Sequence, residues 1–222
     1  MFLDARLSAV AELVRTGARF ADVGTDHAYL PAYLLLEGQI QYAVCSDLRK
    51  GPLKNAEETV QKYGLEDKVD LRLSDGLDNF KEGEVNEIAV AGMGGLLISE
   101  FIERTDWLKS ADIHLILQPM THAEDLRKTL YKNGFYIEKE VVVKDKDKLY
   151  IILSAYYNAC PKALTDFECI IGELSKNTDP ISKEYIASLL KKYTVKYEML
   201  KKAKKDFDET EKIVKELEKC LK

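Results

Sequence analysis

Apolar residues recur at helical spacing from the first turns of the chain. Leu3, Leu7, Val10, Leu13 and Val14 fall on one face of a segment over 3–16, and Gly17 stands where a helix stops. Short apolar runs then alternate with longer amphipathic ones. The pattern predicts strands at 19–23, 41–47, 69–74, 86–91 and 112–117. Between and after them it predicts helices at 27–37, 51–63, 96–103 and 122–133. Strands alternating with helices build a parallel sheet covered on both faces.

The rhythm changes after Gly134. The runs 135–143 and 149–157 read as strands joined by the five polar residues Lys144-Asp145-Lys146-Asp147-Lys148, which fits a hairpin. Five βα steps and a hairpin make an α/β chain with a Rossmann-like, seven-stranded, mostly parallel sheet. An ordinary dinucleotide-binding domain closes instead with a parallel strand. One antiparallel strand in seven is the arrangement of class I methyltransferases.

Pro161 marks a boundary, with one domain over 1–160 and a helical one over 161–222. Thr165-Asp166-Phe167-Glu168 reads as a capping box, and Asp179-Pro180 opens another helix. From Ile186 a seven-residue series runs through Tyr193, Leu200, Phe207, Val214 and Leu221. It predicts one long amphipathic helix with a coiled-coil-like seam. The 165–177 helix or a second chain would cover that seam, and a monomer is favoured.

Composition narrows the class. A chain of 222 residues, 46% hydrophobic and 32% charged, has the material for one sizeable α/β domain and a small appendage. No apolar run is long enough to cross a bilayer, and no secretory leader is visible. Cys45, Cys160, Cys169 and Cys220 form no Cys-x-x-Cys pair and read as isolated reduced thiols. The expectation is a cytoplasmic protein without a membrane partner. His27, His114 and His122 lack ligand spacing, so no metal is expected. The net charge of −5 is unevenly spread: residues 183–222 hold 12 Lys against 8 Asp and Glu, a net of +4 on an acidic body. Such a tail is compatible with gripping RNA.

The candidate chemistry gathers at strand ends. Gly24-Thr25-Asp26-His27, Ser46-Asp47, Ser74-Asp75-Gly76 and Gly92-Met93-Gly94-Gly95 follow the first four strands and line one carboxyl edge. Helix N-termini there present unpaired N–H groups and partial positive charge. Any one such turn also occurs in a purely structural βα join. Acids ending strands two and three beside glycine turns on strands one and four are harder to explain that way. Asp47, 25 residues after Asp22, suits ribose hydroxyls. The turn after strand one carries a single glycine, with Asp26 and His27 where a glycine-rich loop would continue.

The runs Asp22-Val-Gly-Thr-Asp-His-Ala-Tyr-Leu-Pro31, Ser74-Asp-Gly-Leu77, Ala91-Gly-Met-Gly-Gly95 and Leu117-Gln-Pro119 resemble the bacterial tRNA (adenine-N1)-methyltransferase family that acts on adenine 22. The similarity spans roughly residues 3–157, and the helical extension resembles that family's coiled-coil domain. The resemblance implies a class I fold, S-adenosyl-L-methionine as methyl donor and tRNA as substrate. It implies that Gly24 and the backbone around Thr25 face the methionine part of the cofactor and that Asp22 belongs to the same cofactor site; Arg6 is either a cofactor or phosphate contact or an exposed helical charge. The resemblance places the ribose at Asp47 and Leu48, the cofactor's adenine at Asp75 and Gly76, and the sulfonium and incoming base at Ala91, Gly92 and Met93.

Gly92-Met93-Gly94 stands where amino-group methyltransferases carry an Asn/Asp-Pro-Pro-aromatic motif. Adenine N1 already offers an in-plane lone pair, so its methylation needs no proton removal. Asp26 is then a catalytic candidate that accepts from the target N6 amino group; the alternative is a helix cap. His27 is the second catalytic candidate, against a packed core histidine. Tyr29 is either a base-stacking residue or helix packing. Lys191, Lys192, Lys196, Lys201, Lys202, Lys204 and Lys205 form the best basic surface, which is either an RNA grip or a solvated helix face. A small-molecule methyltransferase and a non-catalytic helical interaction module on this fold are the competing functions. The long helical arm argues against the first, and the intact constellation of strand ends against the second.

Overall fold

A computed structural model describes residues 1–222. Seven strands form one sheet: β1 (Phe20–Val23), β2 (Ala43–Asp47), β3 (Val69–Leu73), β4 (Glu87–Gly94), β5 (His114–Thr121), β6 (Phe135–Asp145) and β7 (Lys148–Tyr157). Their spatial order is β3-β2-β1-β4-β5-β7-β6, parallel except for β7, which runs antiparallel to both neighbours. The strand order reverses between β1 and β4, where both leave the sheet at the same edge. In open α/β sheets that crevice is where ligands bind.

The central strands are short and buried on both faces. Every residue of β1 and β2 is buried, because helices cover both sides. On one side, α1 (Ala5–Ala11), α2 (Tyr29–Leu36) and α3 (Lys50–Lys62) bury Val10, Leu30, Leu34, Ala56 and Val60 with Phe20 and Cys45. On the other, α4 (Gly95–Arg104) and α5 (Ala123–Lys132) bury Ile98, Phe101, Leu126 and Leu130 with Val23, Ile88 and Leu115.

Several predicted boundaries move. The first helix covers two turns rather than four. Asp4 caps it, its carboxylate accepting from the Leu7 N–H at 2.7 Å. β4 continues to Gly94 and β5 to Thr121, past the glycine turn and past Pro119. The five-residue link predicted between the last strands is a two-residue turn: Asp145 pairs with Lys148 and Lys146 takes a left-handed φ of 54°.

The C-terminal segment holds the largest correction. The capping box forms, with Thr165 and Glu168 exchanging bonds at the start of α6 (Asp166–Ile171). Asp179 caps α7 (Pro180–Lys202), with Pro180 in its first turn. The predicted single long helix is instead two: α7 stops at Lys202, and α8 begins at Asp208 and ends at Cys220. Lys204 is left-handed (φ 51°), and the Lys205 N–H bonds to the Leu200 carbonyl at 3.1 Å while the Lys204 N–H bonds to that of Lys201. These are the two bonds of a Schellman stop. The Phe207 ring meets Tyr197 edge-on at 5.4 Å and pins the turn. α8 packs on α7 and α6, and Ile186, Tyr193, Ile213 and Leu217 join the apolar core under α5. No helix is long and apolar enough to cross a membrane.

Candidate active site

The loop after β1 folds tightly over the end of β2. The N–H groups of Gly24 and Thr25 both reach the Ser46 carbonyl, at 2.8 and 2.9 Å. Gly24 sits at φ +80°, a region open to glycine, and a Cβ there would fall 2.0 Å from the Met93 methyl carbon. Met93 from β4 therefore lies directly on the glycine that follows β1. Gly76 is similar at the end of β3: its φ is +56° and a Cβ would stand 2.6 Å from the buried Phe101 ring. The Ser46 and Ser74 hydroxyls both donate to the Gly76 carbonyl, which ties the β2 and β3 ends together.

A cleft of about 250 Å³ opens beside Gly24. Arg6, Asp22, Thr25, Asp26, His27 and Ala91 line it, so the structure gathers these predicted residues from three parts of the chain. Asp22 is nearly buried, 8% exposed. Burial pushes its carboxyl up to about 6, while the Thr25 hydroxyl and the Arg6 cation pull it back. Across the β1–β2 pairing, burial also raises the Cys45 thiol well above its usual range, with Asp22 adding to the shift.

Asp26 does not cap α2. The N-cap is Ala28, in a left-handed conformation without a side-chain bond, and the Thr25 hydroxyl accepts the Ala28 N–H at 3.1 Å. Asp26 projects outward with only a long bond from the Asn55 amide, 3.4 Å, and His27 Nε2 at 3.5 Å. A carboxylate so placed is open to a ligand. His27 is not a core residue either: it is half-exposed and its ring stacks on that of Tyr29, 4.9 Å apart and nearly parallel. Tyr29 itself is 44% exposed, so neither ring is spent on packing.

Asp47, Leu48, Asp75 and Gly76 lie along the same edge, outside this cleft. Asp47 is almost buried, with Oδ1 accepting the Arg49 N–H at 2.8 Å. Leu48 beside it is exposed. Asp75 meets Arg104 through Oδ1 at 2.9 Å, and Arg104 also donates to the Asp75 carbonyl. Gly92, at φ +87°, adjoins the Arg6 guanidinium. Arg104 and Asn55 belong to no motif in the sequence. Gln118 was visible only as part of a motif, with no chemical signal of its own.

A methyltransferase-domain family profile matches residues 3–153. The chain is 37% identical over 193 residues to the Bacillus subtilis tRNA (adenine(22)-N(1))-methyltransferase, covering 86% of this chain and 80% of that one. The crystal structure of the B. subtilis m1A22 tRNA methyltransferase TrmK superposes with a TM-score of 0.83 at 32% identity, over 99% of this chain and 96% of the other. A Streptococcus pneumoniae structure in complex with S-adenosyl-L-methionine matches over the whole of both chains, with a TM-score of 0.87 at 32% identity. With the sheet order, the edge of acids and glycines and these likenesses together, the chain belongs to the tRNA (adenine(22)-N1)-methyltransferase family of class I methyltransferases.

Proposed function

We propose that this protein methylates N1 of adenine 22 in tRNA, using S-adenosyl-L-methionine, at the cleft beside Gly24. The observation that carries the reading is the pairing of a buried acid, Asp22, with an outward one, Asp26, across a single βα turn. One faces the interior end of the cleft and the other its mouth, so a donor and an acceptor base have separate anchors.

The residues present fit that cofactor. Gly24 lets the Met93 methyl group close against the backbone after β1, where a Cβ would clash, and the cleft opens beside that contact. Asp47 spends one oxygen on the Arg49 amide and has a second for a ribose hydroxyl. Asp75 has an oxygen beyond its Arg104 contact for an adenine amino group, and Leu48 offers an apolar surface between them. Arg6, Asp22, Thr25, Ala91, Gly92 and Met93 would surround the methionine end. When bound, the cofactor supplies an electrophilic methyl group on a sulfonium.

The chain's own part is orientation and charge. Adenine N1 attacks through its in-plane lone pair, so no general base is required. Asp26 accepts a hydrogen bond from the target's N6 amino group, turns N1 inward and stabilises the positive charge that the ring acquires. The stacked His27–Tyr29 pair offers a π-face to a base taken out of its stack. Residues 161–222 act as a helical, coiled-coil-like domain whose exposed lysines on α7 hold the tRNA backbone. The protein works in the cytoplasm as a monomer. The direct test is incubation with methyl-labelled cofactor and unmodified tRNA, followed by nucleoside mapping. N1-methyladenosine at position 22 is expected; label in a small molecule but in no RNA would overturn the reading.

A further inference from the structure

We infer that Gln118 is a positioning residue for the cleft: its side-chain amide fixes the Arg6 guanidinium and the Gly92 backbone together, and so sets the wall that faces Asp22. The inference rests on the proposed methyl-donor site. It starts from an irregularity in the sheet. β4 and β5 pair at Ala91 with Gln118 and next at Met93 with Pro119, which leaves Gly92 outside the ladder. The Gly92 N–H, left without a strand partner, is taken up by a side chain instead. Gln118 Oε1 takes the Gly92 N–H at 3.0 Å, and the same oxygen takes Arg6 Nη1 at 2.9 Å.

The rest of the amide fixes which end points where. Gln118 Nε2 donates to the Pro119 carbonyl at 3.1 Å, so Oε1 faces Arg6 and Gly92. Gln118 itself is fully buried, so its amide is held in one place. Arg6 otherwise has only a long contact to Asp4 at 3.7 Å and the Tyr150 ring at 5.9 Å. A long side chain held by so little samples several rotamers. Gln118 therefore holds two features at once: the cation beside Asp22, and the bulge that carries Met93 onto Gly24.

The groups facing Asp22 make the consequence measurable. Asp4 and Arg6 approach from α1, Asp26 and His27 from its own loop, and Cys45 from β2; β4 presents only Ala89 opposite it. Arg6 is the one permanent cation among them. Releasing it favours the neutral form of Asp22 and moves the acid limb of cofactor binding to higher pH.

The test uses the full-length protein with Gln118→Met, Gln118→Glu and Arg6→Met. Methionine keeps the length without an acceptor, and glutamate keeps both acceptor contacts. S-adenosylhomocysteine binding is followed by calorimetry across pH, and the Arg6 Nε–H by NMR in the unliganded protein. Gln118→Met should weaken binding about tenfold and shift its acid midpoint upward, as Arg6→Met does. The double variant should lose less than the product of the two single penalties, because the Arg6 contact is lost only once. The Arg6 resonance should broaden in Gln118→Met and stay sharp in Gln118→Glu. Wild-type affinity and midpoint in Gln118→Met, or penalties that multiply in the double variant, would overturn the inference. If Gln118→Met does not fold, a broadened Arg6 signal in a folded Gln118→Glu overturns it and a sharp one supports it. Failure of the wild-type protein to bind S-adenosylhomocysteine would defeat the cofactor reading instead, and the unliganded Arg6 signal would still decide the clamp.

Discussion

Arg127 and Glu140 face each other fork to fork, Nε to Oε1 at 2.7 Å and Nη2 to Oε2 at 3.0 Å, with both side chains sealed from water. Arg127 lies on α5 and Glu140 on β6, and the remaining guanidinium nitrogen donates to the carbonyls of Cys169 and Ile170 at the end of α6. One cation thus joins the sheet, a flanking helix and the C-terminal segment. Gly172, at φ +54°, passes so close that a Cβ would sit 2.4 Å from both partners.

Removing one member strands the other. Arg127→Met leaves a buried carboxylate and two unpaired carbonyls, and should cost about 3–5 kcal/mol in urea unfolding. Arg127→Met combined with Glu140→Leu should recover most of that loss, since an apolar pair needs no solvation. A single-variant cost of about 1 kcal/mol or less would mean that water reaches the pair.

Asp22 trades stability for binding. Its folded carboxyl titrates near 6, raised from an ordinary 3.8 by burial. Between those values the folded state holds a proton that the unfolded state releases, so stability falls as pH rises through that window. Above it the loss reaches about 3 kcal/mol. Asp22→Asn should therefore melt higher than wild type above pH 6 and lose that advantage below pH 3.8. It should also bind S-adenosylhomocysteine poorly. An advantage that persists unchanged at acid pH would reject the account.

Asp26 makes one long hydrogen bond and a loose contact to His27, so little of the fold depends on it. Asp26→Ala should keep stability within about 0.5 kcal/mol of wild type and cofactor affinity near normal. Methyl transfer should fall at least about a hundredfold in kcat. Full turnover would sink its role at the target base.

The α7 face carries Lys191, Lys192, Lys196, Lys201 and Lys202, all exposed, around the exposed apolar Val195 and Met199. Replacing these lysines with Gln should weaken tRNA binding. Its salt dependence should flatten by about 0.7–0.9 in log–log slope for each phosphate no longer neutralised. Turnover on a tRNA kept at saturating concentration should change little. Unchanged binding at low salt would remove the tail from tRNA recognition.

Short-range physics governs what could be read from the chain alone. Alternating apolar runs mark seven strands in the right order, because each strand is buried by its own pattern. The capping box at Thr165, the Asp179-Pro180 start and the glycine turns at Gly24, Gly76 and Gly92 were legible because caps and positive φ angles restrict residue type locally. The acids that end strands two and three, Asp47 and Asp75, were legible from their place after an apolar run, and so was the edge that they share.

Long-range packing settled the rest. The seven-residue series reads on from Leu200 to Phe207, and no glycine marks the stop. The chain turns there with Lys204 in the left-handed position, because reversing direction buries Ile213 and Leu217 in the core of the α/β body. The burial of Asp22, the outward projection of Asp26, and the bonds that tie Gln118 to Arg6 and Arg127 to Glu140 link residues distant in the chain. Desolvation and pairing depend on which side chains meet in space, and residue type and spacing carry no record of that.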